Sequence, residues 1–338
     1  MATINALAAF EPGKPLQPYS YDPGDLRDEQ VEIAVESCGI CHSDLSMLDN
    51  DWGQTAYPLV PGHEVSGRVV AAGSKVKGVK EGDRVGLGWF AESCQSCPSC
   101  MSGDHNLCSH AEQTIVNRAG GFAERVRCHW MWALPLPAAL DPAKAGPLFC
   151  GGITVFNPLV QYGVRPTDRV GIVGIGGLGH LAVQFANKWG CEVIAFSSDA
   201  SKEKEIRGLG AHHVVSSREP GEWEKLNGSL DFLLVTVNVT LDWAALLQTL
   251  GPRGRLHFVG AVLEPLQIPV FTLLMGQRSV SATPLGSPAT NATMLEFCAR
   301  HGIQPVTETF PMSKANEALD YLRNGKPRYR IVLQNDLN

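Results

Sequence analysis

The feature that most constrains this chain is a cluster of glycines set between an apolar run and a helical pattern. Gly174-Ile175-Gly176-Gly177-Leu178-Gly179 fits G-x-G-x-x-G. It follows the apolar run 169–173 and opens a stretch with Leu181, Val183, Phe185 and Ala186 at helical spacing. Small residues let a backbone approach a pyrophosphate, and a helix N-terminus supplies free N–H groups and a positive dipole end. An ordinary tight turn is the competing reading, and the strand-before, helix-after context favours dinucleotide binding. Further apolar runs at 193–196, 232–237 and 256–259 alternate with helical patterns such as 202–209. Such alternation predicts a doubly wound parallel sheet with crossover helices.

The end of the second strand separates NAD from NADP. An acid there accepts hydrogen bonds from a free ribose 2′-hydroxyl and favours NAD. This chain has Phe196-Ser197-Ser198-Asp199, with Lys202 just beyond. Serine hydroxyls at Ser197 and Ser198 donate to a phosphate without repelling it, and Lys202 adds positive charge. NADP(H) is the expectation. Asp199 keeps NAD open if its carboxylate faces the ribose; its other role is a turn or helix N-cap.

Residues 1–150 read differently. Val31 to Glu36 alternates as a half-buried strand, 65–72 is a second apolar run, and Gly82 to Leu87 is a turn entering a third. A compact β-rich domain with long loops is expected there. Cys94, Cys97, Cys100 and Cys108 form C-x2-C-x2-C-x7-C. Four thiolates so spaced can wrap one tetrahedral zinc, closed to substrate and therefore structural. An iron–sulfur site or unrelated reduced thiols are the alternatives, the former usually spaced otherwise.

A chain of 338 residues suits two domains. The boundaries fall at 1–150 and 151–286. A tail from 287 has helices at 289–300 and 313–324, Ser313 as an N-cap and a closing strand at 329–333; by pattern alone it could belong to either domain. The net charge of -6 gives no reason to expect nucleic acid or an anionic membrane. The N-terminus does not read as a signal peptide, and no apolar run is long enough for a membrane span. A cytoplasmic protein with reduced cysteines is expected.

Taken one at a time, Cys41, His63 and Cys150 have unremarkable readings as core thiols and a satisfied histidine. Their setting changes that. Cys38-Gly39-Ile40-Cys41-His42-Ser43-Asp44, Pro61-Gly62-His63-Glu64-Val65, the four-cysteine loop and Gly174 to Gly179 occur together, in this order. The set resembles the zinc-dependent medium-chain dehydrogenases. Leu148-Phe149-Cys150-Gly151-Gly152-Ile153-Thr154-Val155 narrows the likeness to the cinnamyl-alcohol-dehydrogenase-like branch. Tyr21-Asp22-Pro23-Gly24, Ser46-Met47-Leu48-Asp49-Asn50-Asp51-Trp52-Gly53 and Thr236-Val237-Asn238 look most like bacterial broad-substrate NADPH-dependent aldehyde reductases.

The resemblance implies an α/β fold: a GroES-like β-rich catalytic domain, completed by 287–338, plus a Rossmann domain. It implies two zinc ions per chain. Cys41, His63 and Cys150 would hold the catalytic one with Glu64 beside it, and Asp44 would orient His63. Ser43 would hydrogen-bond the substrate oxygen. Thr154, Val259, Gly260 and the stretch from Ser281 to Thr283 would line the nicotinamide side. The implied activity is reduction of an aldehyde to a primary alcohol. NAD-linked alcohol oxidation and a non-catalytic NADPH-binding protein are the alternatives. A homodimer would form along the strand from Ser279 to Leu285. Many relatives carry a histidine three residues after the relay hydroxyl, where this chain has Ser46, so the proton path is expected to differ. Trp52, Trp89 and Phe90 are expected in the substrate pocket, with core packing the alternative for Trp89.

Overall fold

The computed structural model describes residues 3–337. The chain forms two compact units: one runs through Ile153 and resumes at Gly286, the other is Thr154–Leu285. Among the described residues, no helix is long and apolar enough to cross a membrane.

The first unit is built around the strand Gln30–Ile40. One edge pairs with Val65–Ala72 in antiparallel register, with Cys38 opposite Val65. The other edge is divided: Gln30 to Ala34 pair with Arg125–His129, and Ser37 to Ile40 pair with the last strand, Arg330–Gln334. The tail therefore closes the β-rich unit. The register also delivers chemistry to one end of the sheet. Cys41 follows Ile40 directly, and His63 and Glu64 immediately precede Val65.

Alternation led to a half-buried strand at Val31 to Glu36; Ala34 and Glu36 on its polar face are indeed only partly buried, but the strand is central and Glu32 is covered. Glu32 is buried, held by Arg125 Nη1 at 2.8 Å and Arg127 Nε at 2.8 Å from the paired strand. A polar residue in an alternating pattern marks only the opposite face, and here cross-strand arginines close over it. The tail differs as well. Ser313 does not cap a helix: its N–H and hydroxyl both donate to Asp336, at 2.7 and 2.6 Å. The stretch 312–314 is a 3-10 turn, and the helix proper is Ala315–Arg323.

The second unit is a six-stranded parallel sheet. Its order is His213–Ser216, Glu192–Ser197, Arg169–Val173, Leu230–Val235, Leu250–Phe258, Ser279–Ala282. Counted along the chain this is 3-2-1-4-5-6, the Rossmann order, whose switch point lies beside the first strand. Phe196, Leu233, Leu246 and Leu256 are buried in the core between sheet and helices. Gly174 to Gly179 turn from the first strand into the helix Gly179–Trp189, at the carboxyl ends of the strands where ligands of open α/β sheets bind.

Burial opposes charge on Glu32, yet hydrogen bonds from Arg125 and Arg127 win and hold its carboxyl below the ordinary value of 4.5. A depressed carboxyl pKa contributes stability above the unfolded value and loses it as pH falls through the folded one. Glu32→Gln is expected to cost about 1–3 kcal/mol at neutral pH, with Arg125 partly exposed. In urea unfolding the gap to wild type should close on acidification below the ordinary carboxyl range; a gap independent of pH contradicts the assignment.

Candidate active site

Cys41, His63, Glu64 and Cys150 converge in the first unit, each offering a ligand atom, with all four atoms within 4.8 Å of one another and all four residues buried. The Cys41 and Cys150 sulfurs are 3.9 Å apart. Cys150 follows the 3-10 turn Gly146–Phe149, which lies against the strand ends because Gly146 has no side chain. A Cβ there would sit 2.3 Å from the Glu64 carbonyl.

Asp44 orders the cluster. Its buried carboxylate accepts the Cys41 N–H at 2.9 Å, the Gly62 N–H at 2.9 Å and His63 Nδ1 at 3.0 Å. A carboxylate accepts only, so Nδ1 carries the proton and the Nε2 lone pair is left for a ligand. His63 Nε2 is buried with no hydrogen-bond partner, as is Glu64 Oε2. Buried polar atoms are paired unless a partner of another kind is intended. Two thiols converging with an imidazole lone pair and a carboxylate oxygen, the last two unsatisfied, fit a zinc ion. The Cys41 thiol is held well below its ordinary range by the hydrogen bond from Cys150, aided by His63 and Arg330 against burial. That favours the thiolate which a metal requires.

Arg330 had no place in the sequence reading. Its guanidinium pairs with Glu64 Oε1 in the interior, and both side chains are buried. Burial opposes charge on Arg330, but Glu64 and then the two thiols raise its pKa. Burial pushes the Glu64 carboxyl up despite Arg330. The pair forms because the last strand lies beside the Cys38–Ile40 end of Gln30–Ile40.

Around the cluster, Ser43 Oγ is 3.7 Å from Cys41 Sγ. Trp89 meets the His63 ring edge-on at 5.0 Å, and Trp52 meets Trp89 at 6.0 Å. Both tryptophans are only partly buried, so Trp89 is not core. Phe90 is: it is buried against Trp132 at 5.4 Å, a correction to its expected pocket role. Ser46 is buried in the helix His42–Asp49, while His42 is exposed.

The four cysteines at 94, 97, 100 and 108 also converge. Cys108 Sγ accepts N–H groups from Cys94 at 3.5 Å and His110 at 3.4 Å, and Cys94 Sγ accepts from Cys97 at 3.4 Å. Amide donors to sulfur favour thiolates; those of Ser96 and Cys97 bring the Cys94 thiol down to about 5. Such a set can hold a tetrahedral ion with no open position.

In the second unit, Gly174 has φ +91, and a Cβ would strike Val237 Cγ1 at 2.3 Å; at Gly179 it would strike the Gly174 carbonyl at 1.9 Å. A Cβ on Gly176 would meet nothing within 4 Å. The turn is thus tightly packed on one side and open on the other, the shape a pyrophosphate needs. Gly177 and Leu178 complete it ahead of the helix.

Asp199 caps the following turn, its Oδ1 accepting Ser201 N–H at 2.9 Å and Oγ at 2.6 Å. The Ser197 hydroxyl is buried and donates to the Asp199 carbonyl at 3.1 Å, whereas Ser198 is exposed and Lys202 partly so. Val259 and Gly260 bond the Val235 carbonyl at 3.0 and 3.1 Å. Ser281 and Thr283 both bind the buried His257 ring, at 2.9 and 3.0 Å. Burial, with Arg255, brings that imidazole down to about 4 and keeps it neutral. Thr154 is buried near the start of the helix Gly151–Gln161.

Comparison with known proteins agrees. Residues 27–138 match the alcohol dehydrogenase GroES-like domain and residues 177–300 the zinc-binding dehydrogenase domain. The chain is 55% identical over 335 residues to an aldehyde reductase of Synechocystis, covering 99% of this chain and 100% of that one. A cinnamyl alcohol dehydrogenase of Sorghum bicolor superposes with a TM-score of 0.94 at 35% identity, covering 98% of each chain. One of Helicobacter pylori, complexed with NADP(H), gives 0.91 at 27% identity, again over 98% of each. The chain belongs to the zinc-dependent medium-chain alcohol dehydrogenases, in their cinnamyl-alcohol-dehydrogenase-like branch.

Removing one member of a buried ion pair strands the other. Arg330→Met is expected to cost about 3–5 kcal/mol in urea unfolding. Adding Glu64→Gln should recover part of that loss, and strictly additive costs would contradict a direct interaction.

Proposed function

We propose that this oxidoreductase reduces aldehydes to primary alcohols with NADPH, at a zinc held by Cys41, His63 and Cys150 with Glu64 in reserve, and that the four-cysteine loop holds a second, structural zinc. The observation that carries the reading is the buried donor set with His63 Nε2 left unsatisfied. When bound, zinc supplies Lewis-acid polarisation of a carbonyl oxygen and the dinucleotide supplies the hydride.

The chain's own residues do the rest. Asp44 keeps the His63 lone pair directed at the cluster. The Ser43 hydroxyl, beside the Cys41 sulfur, relays a proton to the product oxygen in this reading and regains one from water. Trp52 and Trp89 form an apolar wall that favours hydrophobic aldehydes over polyols. With the Asp199 carboxylate taken by Ser201 and the Ser197 hydroxyl by its own turn, the 2′-phosphate falls to Ser198 and Lys202. That preference is what speaks for NADPH over NAD-linked oxidation. The ten cysteines, none in a disulfide, suit the reducing cytoplasm.

The chain also pairs as a homodimer in this reading. Among the described residues, the edge strand Ser279–Ala282 pairs only with Leu250–Phe258. The helix leading into it, Val270–Gly276, leaves Val270, Phe271, Leu274 and Met275 at 65–73% exposure, a patch that a second copy would cover. Phe271→Glu should turn a dimer into a monomer in light scattering; wild type that is already monomeric contradicts the pairing.

Zinc-replete protein should oxidise NADPH rapidly on addition of an apolar aldehyde, and NADH slowly. Preference for NADH overturns the cofactor reading alone. Metal analysis should find about two zinc ions per chain, falling to about one in His63→Ala with loss of turnover. Metal-free protein retaining full activity overturns the zinc reading.

A further inference from the structure

Two side chains outside the glycine motif grip its turn. Thr236 Oγ1 lies 2.7 Å from the Gly174 carbonyl oxygen and 3.0 Å from that of Val173. His180, fully buried, places Nδ1 3.2 Å from the Gly176 carbonyl oxygen. The same oxygen accepts the His180 N–H at 3.0 Å. A carbonyl only accepts, so both side chains act as donors, and Nδ1 is the protonated ring nitrogen.

A trans peptide is planar, and its C=O and following N–H point in opposite directions. Fixing the Gly174 carbonyl therefore fixes the Ile175 amide facing the other way, and fixing that of Gly176 does the same for Gly177. Among the described residues, neither the Ile175 nor the Gly177 N–H donates to a backbone carbonyl. Thr236 also packs where Gly174 has no side chain, since a Cβ there would lie 3.1 Å from Oγ1. On the other side Gly176 faces open space.

We infer that Thr236 and His180 are positioning residues for the dinucleotide: each pins one carbonyl of the glycine turn, so that the amides of Ile175 and Gly177 are aimed at the pyrophosphate before it arrives. Without the Thr236 donor the Gly174–Ile175 peptide can flip and present a carbonyl, whose partial negative charge repels phosphate; without the His180 ring the Gly176 carbonyl keeps one donor, the His180 N–H, in place of two, and its peptide is held less firmly. Preorganised donors hold an anion without a reorganisation cost at binding. This rests on the reading of the turn as a dinucleotide site.

The test measures dissociation constants of the zinc-replete full chain for NADPH and for adenosine 2′-phosphate, which has no pyrophosphate. Thr236→Val keeps the shape and removes the donor; Thr236→Ser restores it. His180→Leu removes the ring donor; His180→Asn keeps an amide N–H near the Nδ1 position. Thr236→Val and His180→Leu should each weaken NADPH binding about five- to tenfold, one hydrogen bond's worth. Adenosine 2′-phosphate should bind all variants alike, and Thr236→Ser and His180→Asn should recover most of the NADPH affinity. Folded variants that bind NADPH like wild type overturn the inference. So does an equal loss for both ligands, which would mean general damage to the unit. Wild type that binds neither NADPH nor NADH refutes the dinucleotide reading itself, and does so before any variant is made.

Discussion

The buried Asp44 carboxylate accepts N–H groups from Cys41, Gly62 and His63, and through them joins two segments of the chain into one site. A carboxylate away from water is costly unless it is hydrogen-bonded, and here three donors bind it. The same contacts set the backbone before Cys41, the bend before His63 and the tautomer of its ring. With that anchor in place, the antiparallel register that puts Cys38 opposite Val65 brings both segments to the same end of the sheet. Cys150 then reaches the site on a turn that a side chain at position 146 would push away.

The two units solve a similar problem by similar means. In each, side chains outside the key segment hold its groups in one direction: buried Asp44 does this for the His63 ring, whose Nε2 stays unsatisfied within the chain, and Thr236 and His180 hold the Gly174 and Gly176 carbonyls of the glycine turn. Glu64 and Arg330 add a buried ion pair behind the cluster, where the cost of desolvating both charges is offset only while both are present.

Much of this was legible in the sequence because it is local. The glycine turn, the four-cysteine loop and the Cys41-to-Asp44 segment are each set within a few residues, and the alternation of strands and helices gave the parallel sheet. What stayed hidden depends on long-range pairing. Arg330 is 266 positions from Glu64, and nothing near either residue announces the other. The burial of Glu32 stayed hidden because period-two patterning gives a half-buried strand without telling an edge strand from a central one. Ser313 had the right residue type for a cap, but a carboxylate from the last few residues claimed both its donors. His257 lay inside an apolar run, and its role appears only when Ser281 and Thr283 come alongside on the neighbouring strand.

If Cys41, His63 and Cys150 hold a zinc, that centre is chemically distinct from the four-cysteine loop. X-ray absorption at the zinc edge reads the ligand atoms directly. Two sites of these compositions average about three sulfur and one nitrogen or oxygen neighbour per zinc, with imidazole scattering in the outer shells. A metal centre at His63 gives that mixture in the fully loaded protein, and loss of the imidazole signal in His63→Ala. An all-sulfur spectrum at full loading would mean that only the loop binds zinc, and would contradict it.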